Sequence, residues 1–347
     1  MAKTSTTTKK RATKKTSKSP ASRKPAQPKK TVSAETAVVQ TTLSPVPDVQ
    51  TVQKAVQDGK KTDPETALVQ KRRVVNDLFQ RGLAAHQAGQ IDDAIRLYSA
   101  ALRQNPDQPD VWNNLGVALR RSKRFAAALI AYRRAADLRP ENAGLWSNMG
   151  NCLREMMRFD EALAAHKKAI ELDDTIKSHT FNTGLVYRDL NKFSEALGYF
   201  NRALAMDPEY VDANWDSALA HLALGDYAKG WAGYETRRQL ADNPIRPLDS
   251  APEWDGKGDL RGKRLLLRAE QGFGDMIQFA RFIPLVAKRA AHIIVECRKE
   301  LMPIMRTVSG VGAVVEKGRA LPEFDLHVPL LSLPHVLGIG EADLKKI

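Results

Sequence analysis

The sequence predicts an α-helical repeat array followed by a smaller α/β domain with a parallel sheet, and a disordered basic tail before both. Three observations carry this prediction. A pattern of apolar and small residues recurs every 34 residues between Val75 and Tyr234. From Gly262 onward, short apolar runs alternate with helical stretches. The first 30 residues contain eleven Lys or Arg and no acid, which leaves only +3 of the net charge of +14 for the rest of the chain.

Each 34-residue unit contains two apolar stripes of helical spacing, joined by a short turn. Because one helical hairpin cannot bury its own apolar face, successive hairpins must stack. The positions that hold register are Ala94, Ala128, Ala162 and Ala196; Gly82, Gly116, Gly150 and Gly184; and Tyr98, Tyr132, His166, Phe200 and Tyr234. This pattern resembles the tetratricopeptide repeat (TPR), in four full copies and a divergent fifth. The resemblance implies an α superhelix, or TPR solenoid, whose concave face binds a protein or an extended peptide.

One position of the first predicted helix is polar in every unit. The sixth residue is Gln80, Asn114, Asn148, Asn182 or Asp216, which predicts a ladder along the array. The array also resembles that of protein O-GlcNAc transferases, in which a similar asparagine ladder holds the backbone of a bound peptide. Amide side chains suit this task because each offers both a donor and an acceptor. Packing within each hairpin is the alternative.

A second ladder occupies the twelfth position of units two to four, where the residues are Arg120, Arg154 and Arg188. Three arginines in register favour an acidic or carboxylate-bearing ligand. Glu155 and Asp189 directly follow two of them, so pairing inside the array is the alternative. The two ladders together form the predicted peptide-binding groove.

Histidine and cysteine usage indicates neither a metal site nor a disulfide. His166 takes an aromatic position of the repeat, which predicts a packed, hydrogen-bonded core histidine. His86 and His221 have no partners at metal-ligand spacing, and we expect no metal and no cofactor. Cys152 and Cys297 fall on separate predicted elements, which favours free thiols in a reducing cytoplasm. No apolar run reaches the roughly 18 residues that span a bilayer.

The last hundred residues have the pattern of a parallel sheet. Glycines follow its first strand, so that backbone amides would face an anion at the start of the next helix. Alternation of strands and helices implies right-handed crossovers. Strands are predicted at 264–268, 292–296, 311–316 and 324–330, and helices at 276–289 and 298–308.

The string Glu270-Gln271-Gly272-Phe273-Gly274-Asp275, with Trp254-Asp255-Gly256 before it and Phe324-Asp325-Leu326-His327 after it, carries a second resemblance. It is similar to bacterial tetratricopeptide proteins with a glycosyltransferase-like domain, relatives of the heptosyltransferases and of O-GlcNAc transferase. Their GT-B fold has two facing Rossmann-like halves. The resemblance implies that residues 262–347 form the N-terminal half, without the half that binds most of a nucleotide-sugar.

By the same resemblance, Asp275 is the candidate general base beside the acceptor hydroxyl, and Gln271, Gly272 and Gly274 form an anion or acceptor loop. Glycosyl transfer needs a carboxylate that takes the acceptor proton. Capping of its own helix is the alternative role for Asp275. A dinucleotide-binding fingerprint is disfavoured, because Ile277 stands where that motif has its third glycine.

These observations divide the chain into a tail and linker (1–62), the repeat array (63–242), a second linker (243–261) and the Rossmann-like half domain (262–347). Residues 1–30 would either contact polyanions without sequence preference or serve as a solvated arm. The predicted function is a protein–protein interaction scaffold. The alternative is a glycosyltransferase that moves a sugar from a nucleotide-sugar to a protein or glycan selected by the array. The sequence leaves enzyme status open, because the donor-binding half is not part of it.

Overall fold

Helices follow one another between Pro64 and Tyr234 and pack as five antiparallel pairs. The computed structural model describes residues 64–240, 248, 250–270, 272–290 and 292–346. The predicted tail and linker at 1–62 lie outside the described residues, as does Asp63, the residue before the first helix. The helices are α1 (Pro64–Gln87), α2 (Ile91–Gln104), α3 (Pro109–Arg121), α4 (Phe125–Leu138), α5 (Ala143–Glu155), α6 (Phe159–Leu172), α7 (Lys177–Asp189), α8 (Phe193–Met206), α9 (Val211–Ala223) and α10 (Tyr227–Tyr234), followed by a 3₁₀ helix (Glu235–Gln239).

The two helices of a pair approach closely because the first has a glycine where the second carries a ring. A Cβ atom on Gly116 of α3 would lie 2.6 Å from Tyr132 Cε1 of α4. The same contact recurs one unit earlier and in the next two units, between Gly82 and Tyr98, Gly150 and His166, and Gly184 and Phe200. All four rings are fully buried. The repeat solenoid that the 34-residue period predicts is therefore confirmed.

The turn inside each pair contains one residue with a left-handed backbone. In units one and five this residue is Gly89 (φ 75°) or Gly225 (φ 81°), which adopt the conformation freely. In the three central units it is Lys123 (φ 62°), Met157 (φ 60°) or Asn191 (φ 58°). A side chain in this region costs roughly 1–2 kcal/mol, except that asparagine adopts it readily, so the turns at Lys123 and Met157 carry backbone strain that the outer two avoid.

A hydrogen bond from the first helix to the preceding connection recurs along the array. Trp112 Nε1 donates to Pro106 O at 2.7 Å, and Trp146 Nε1 donates to Pro140 O at 2.8 Å. Unit five has no tryptophan at this position, yet Asn214 Nδ2 donates to Pro208 O at 2.9 Å. In units two, three and five, the bond fixes where the unit begins relative to the previous one.

Four parallel strands form one sheet in the order β3-β2-β1-β4. Residue Leu266 of the central strand lies between Ile294 on one side and His327 on the other. A central strand covered on both faces requires a continuous apolar run, which the three consecutive leucines at 265–267 supply; all three are fully buried. The predicted parallel sheet is confirmed. Its strands are β1 (Arg264–Arg268), β2 (His292–Cys297), β3 (Val311–Glu316) and β4 (Leu326–Pro329).

Both predicted helices of this region are wrong in extent. The stretch 276–289 is broken, because Pro284 has no N–H and its ring clashes with the carbonyl of Ala280, where the first helix ends. Within 298–308, Pro303 stands in the first turn of a four-residue helix that follows a 3₁₀ turn, so that the regular helix cannot run through from Arg298. The helices of the region are α11 (Phe273–Ala280), α12 (Ile283–Ala287), α13 (Met302–Met305), α14 (Leu333–Val336) and α15 (Glu341–Leu344).

Part of the predicted linker at 243–261 pairs with the sheet. Trp254 N donates to His327 O at 2.8 Å, and His327 N donates to Pro252 O at 3.2 Å. Rings of the divergent fifth unit pack on α11: Tyr234 is stacked on Phe279 at 5.9 Å between centroids. The array and the sheet therefore share an apolar core rather than being joined by a free linker.

Candidate functional site

The asparagine ladder lies on the first helices of the pairs and is mostly buried. Asn114 is 0% exposed, Asn148 8%, Asn182 3% and Asp216 4%. Gln80, which belongs to the first unit, is exposed. The register that the sequence predicts is therefore present, but a ligand could reach little of the central side chains.

The ladder amides donate their hydrogens within the array. Asn148 Nδ2 donates to Asn113 Oδ1 of the preceding unit at 2.9 Å, and Asn182 Nδ2 donates to Ser147 Oγ at 3.3 Å. Asn114 Nδ2 donates to the carbonyl of Asp110 in its own helix at 2.9 Å. The sixth residue of one unit thus contacts the fifth residue of the previous one. The predicted alternative placed these contacts inside a hairpin, whereas two of the three cross between units.

The arginine ladder is engaged in ion pairs between successive units. Arg120 pairs with Glu155, and Arg188 pairs with Asp216. Arg154 Nη1 lies 3.2 Å from Asp189 Oδ2. Burial raises the pKa of Asp216 above its ordinary value, and the Arg188 charge opposes that shift. The pairing left open by the sequence is therefore present, and it neutralises much of the positive charge of the ladder.

His166 departs from the predicted hydrogen-bonded core histidine. Its ring is 0% exposed and packs on Gly150, yet neither Nδ1 nor Nε2 has a partner among the described residues. Burial, followed by the charges of Arg154 and His179, lowers the pKa of His166 from 6.5 to about 3. The position is shaped for a ring that makes no hydrogen bonds, such as that of Phe200 in the next unit.

The glycine loop after β1 is open to solvent where it is described. Gln271 lies outside the described residues. Gly272 has φ 92°, and a Cβ atom added to Gly274 would have no neighbouring atom within 4 Å, so the loop presents backbone to solvent. Asp275 is the third residue of α11 and is half-buried. The Asp275 carboxylate lies over the start of this helix, because its Oδ2 would be 2.7 Å from a Cβ atom added to Gly272, so both the capping role and the general-base role stay predictions.

A buried ionic network joins the array to the carboxyl end of the sheet. Arg237 donates from Nε and Nη2 to the two carboxylate oxygens of Glu270 at 2.9 and 2.7 Å. The same Nη2 donates to Ser332 Oγ at 2.8 Å, and Nη1 donates to Glu235 Oε1 at 2.7 Å. Arg237 and Glu270 are each 6% exposed and Ser332 is 1% exposed.

The network lies at the carboxyl ends of two neighbouring strands. Glu270 follows β1 and Ser332 follows β4, and the chain leaves β1 toward β2, on the side away from β4. Open α/β sheets bind ligands outside the carboxyl ends of their strands. Here a side chain of the array occupies that position. Sequence reasoning missed Arg237, because nothing in a repeat period signals a partner 33 residues away in another kind of structure.

The described residues contain no group of three or more His, Cys, Asp or Glu side chains arranged to hold a metal ion. Both cysteines, Cys152 and Cys297, are buried free thiols, as their placement on separate elements predicts. Of the helices that the structure describes, none is long and apolar enough to cross a membrane.

Comparison with known proteins agrees with the repeat pattern. Two family models, both described as tetratricopeptide repeat, match residues 79–143 and 141–209. The array is therefore built from tetratricopeptide repeats. The chain is also 45% identical over 65 residues to Protein FlbA of Caulobacter vibrioides, a match that covers 18% of this chain and 11% of FlbA. The aligned segment thus spans about a tenth of that relative.

Solved structures with a similar arrangement include PilF of Pseudomonas aeruginosa, which is 23% identical with a TM-score of 0.45; the match covers 49% of this chain and 77% of that one. The TPR protein TTC0263 of Thermus thermophilus is 20% identical with a TM-score of 0.42, and the match covers 48% of this chain and 91% of that one.

Proposed function

We propose that the first-helix face of this tetratricopeptide array binds an extended segment of another protein, and that the chain acts as an interaction scaffold. The supporting observation is a polar track that continues from unit to unit. Asn113 with Asn148, and Ser147 with Asn182, join successive first helices through side-chain hydrogen bonds. Replacing such buried polar pairs by apolar groups of the same shape is nearly neutral for stability, so stacking alone does not require them.

The charge of the track determines the ligand class that we propose. The ladder arginines are already neutralised by Glu155, Asp189 and Asp216. An acidic ligand would therefore gain little binding energy from these arginines. We therefore propose a ligand held mainly through its backbone. Exposed polar groups on the first helices are the contacts available without rearrangement; they include Gln80 and Arg121, and Arg121 has no ion-pair partner among the described residues.

The test begins with a phage-displayed random peptide library selected on the full chain. Enriched peptides are then synthesised, and their affinity is measured by fluorescence anisotropy. Replacing Gln80 and Arg121 together by Ala should weaken binding roughly tenfold, the equivalent of about 1.4 kcal/mol. Both side chains are exposed, so the fold should be unaffected. The matched control replaces Lys168 and Arg202, which are exposed on second helices, by Ala.

Peptides whose affinity is unchanged in the first-helix variant, or falls equally in both variants, would refute the assignment. The Asn148→Ala variant is less informative, because it also removes the bond to Asn113 that joins two units. A cytoplasmic location, predicted from the two free thiols, is part of this proposal.

We also propose a narrower second function, sugar transfer with Asp275 as general base, on the strength of one observation. The glycine-rich loop that resembles the transferases lies at the carboxyl end of the central strand of an all-parallel sheet, with Gly272 in a left-handed conformation. A nucleotide-sugar would be the donor substrate.

The assay for this function incubates the full chain with UDP-, GDP- and ADP-sugars and a cell lysate as acceptor source. Label transfer that is lost in Asp275→Asn would support the assignment. Asp343→Asn is the matched control, because Asp343 is likewise the third residue of a helix, α15. Absence of transfer by the wild-type chain, or equal activity of the two variants, would leave the scaffold function alone.

A further inference from the structure

The α/β region carries all of the helices between β1 and β3 on one face of its sheet. The connections from β1 to β2 and from β2 to β3 join neighbouring parallel strands in the same direction. Since both crossovers are right-handed, α11, α12 and α13 lie on the same face. We call residues 273–309, apart from strand β2, the basic layer.

Six exposed cations lie on the basic layer, against one exposed acid and the half-buried Asp275. None of them forms an ion pair within the described part of the chain, and Glu300 is the one exposed acid among the layer's described residues. Elsewhere in the region, Arg261 pairs with Asp259 and Arg264 pairs with Asp325, whereas exposed lysines such as Lys257, Lys263 and Lys346 are scattered and form no ion pair among the described residues. The unpaired set of the basic layer is Arg281, Lys288, Arg289, Arg298, Lys299 and Arg306.

The same layer exposes large apolar side chains. Phe273 is 44% exposed, Ile277 49% and Ile304 44%, and these are the exposed large hydrophobic residues of the described part of the α/β region. Phe273 and Ile277 are four residues apart and therefore share one face of α11. The guanidinium carbon of Arg298 lies 5.3 Å from the centroid of the Phe273 ring, so cationic and apolar groups are in direct contact.

We propose that the basic layer is a docking surface for an anionic phospholipid bilayer. Lipid phosphates attract Lys and Arg near the membrane surface, and the acyl boundary accepts Phe and Ile side chains beside them. A nucleic acid would neutralise the cations but would offer Ile277 and Ile304 no apolar environment. The layer therefore fits a peripheral association, in which α11 rests on the membrane surface and the array extends from it.

The experiment reports on the basic layer itself, so that attraction of residues 1–30 to the same vesicles does not confuse it. An environment-sensitive fluorophore is attached to the full chain in the variants Phe273→Cys and Ile277→Cys. The native thiols do not compete, because Cys152 and Cys297 are buried and burial raises the pKa of each to about 11. Ile130→Cys is the matched control, since Ile130 is 66% exposed on the array.

Vesicles of phosphatidylcholine mixed with phosphatidylglycerol should shift the emission of both α11 labels to the blue, whereas pure phosphatidylcholine should not. The Ile130 label should stay unshifted. In the Phe273→Cys background, replacing Arg281, Lys288 and Arg289 by Gln should weaken binding roughly a hundredfold, at about fivefold for each cation. Replacing Lys257, Lys263 and Lys346, which are exposed outside the basic layer, should change it far less.

Three results would overturn the proposal. Vesicle binding without a shift at either α11 label would place the attraction in the tail. A shift produced by duplex DNA and not by vesicles would show that the surface recognises a nucleic acid. If the two triple variants lost the same amount of vesicle affinity, the attraction would depend on the overall net charge and not on the basic layer.

Discussion

His166 provides the sharpest test of how the array is packed, because the repeat supplies its own reference. The same position is a tyrosine or a phenylalanine in the other units, and Phe200 is as completely buried as His166. Replacing His166 by Phe should keep the ring that fills the space over Gly150 and remove two buried nitrogens that have no hydrogen-bond partner among the described residues. A buried polar atom without a partner costs on the order of 1–3 kcal/mol. His166→Phe should therefore be more stable than wild type.

The destabilisation caused by His166 can be calculated from its pKa, because it varies with pH. The pKa of His166 is about 3 in the folded chain, against 6.5 for the unfolded chain. Because the folded value is lowered, the unfolded state binds the extra proton, and stability falls as the pH drops from 6.5 toward 3. Between pH 7.5 and 5.0 this one residue removes about 2 kcal/mol, at about 1.36 kcal/mol for each pH unit. His86, whose burial lowers its pKa to about 4, contributes in wild type and variant alike.

The measurement is the urea midpoint followed by circular dichroism, at several pH values between 7.5 and 5.0. The advantage of His166→Phe should grow by about 2 kcal/mol across that interval. Phe200→His is the reciprocal control and should acquire the acid sensitivity that His166→Phe loses. If the free energy of unfolding depended on pH in the same way in His166→Phe and in wild type, the wild-type imidazole would have a hydrogen-bond partner. The description of His166 as buried without a partner would then be wrong.

Four further substitutions test other parts of the structure by urea or thermal unfolding. Gly116→Ala should destabilise the fold by roughly 1–3 kcal/mol, because its new methyl group would contact the Tyr132 ring. Gly198→Ala has open space around it and should stabilise the fold by roughly 0.5–1 kcal/mol. If both substitutions changed the free energy of unfolding in the same direction, this description of the packing would be wrong. Met157→Gly should stabilise by about 1 kcal/mol by relieving a φ of 60°, and a loss of stability would refute the strain. Arg237→Ala should destabilise by roughly 3–5 kcal/mol, because it strands the buried carboxylate of Glu270, and a change below about 1 kcal/mol would show that water solvates that carboxylate.

Sequence reasoning located the array because the constraint behind it is local and repeated. A ring packs against a glycine in each of the first four units, as Tyr132 does against Gly116, so the same pair of residue types recurs four times in the sequence. The sheet was predictable for a related reason, since a strand buried on both faces must be continuously apolar. Helix lengths in the α/β region were not predictable from apolar spacing, because a single proline interrupts each of the two predicted helices.

The roles of the polar residues were harder to predict. A ladder of asparagines has the same sequence signature whether the amides contact a peptide or the neighbouring helix. The structure shows that the partner of Asn148 is Asn113, which is the fifth residue of the preceding unit and carries no signal of its own. Left-handed turn residues were also missed, because Lys123 and Met157 stand where only the outer units have glycine.

The network around Arg237 constrains how the two proposed functions could coexist. Glu270 is held by two hydrogen bonds from Arg237 and immediately precedes the glycine loop that contains Gly272. Any ligand that entered between the carboxyl ends of β1 and β4 would have to displace this guanidinium, and would leave a buried charge behind unless it supplied a cation of its own. A ligand that approached Asp275 from the solvent side of α11 would face no such cost. The proposed sugar transfer therefore has to use the exposed loop and not the crevice, and the array remains fixed to the sheet while it does so.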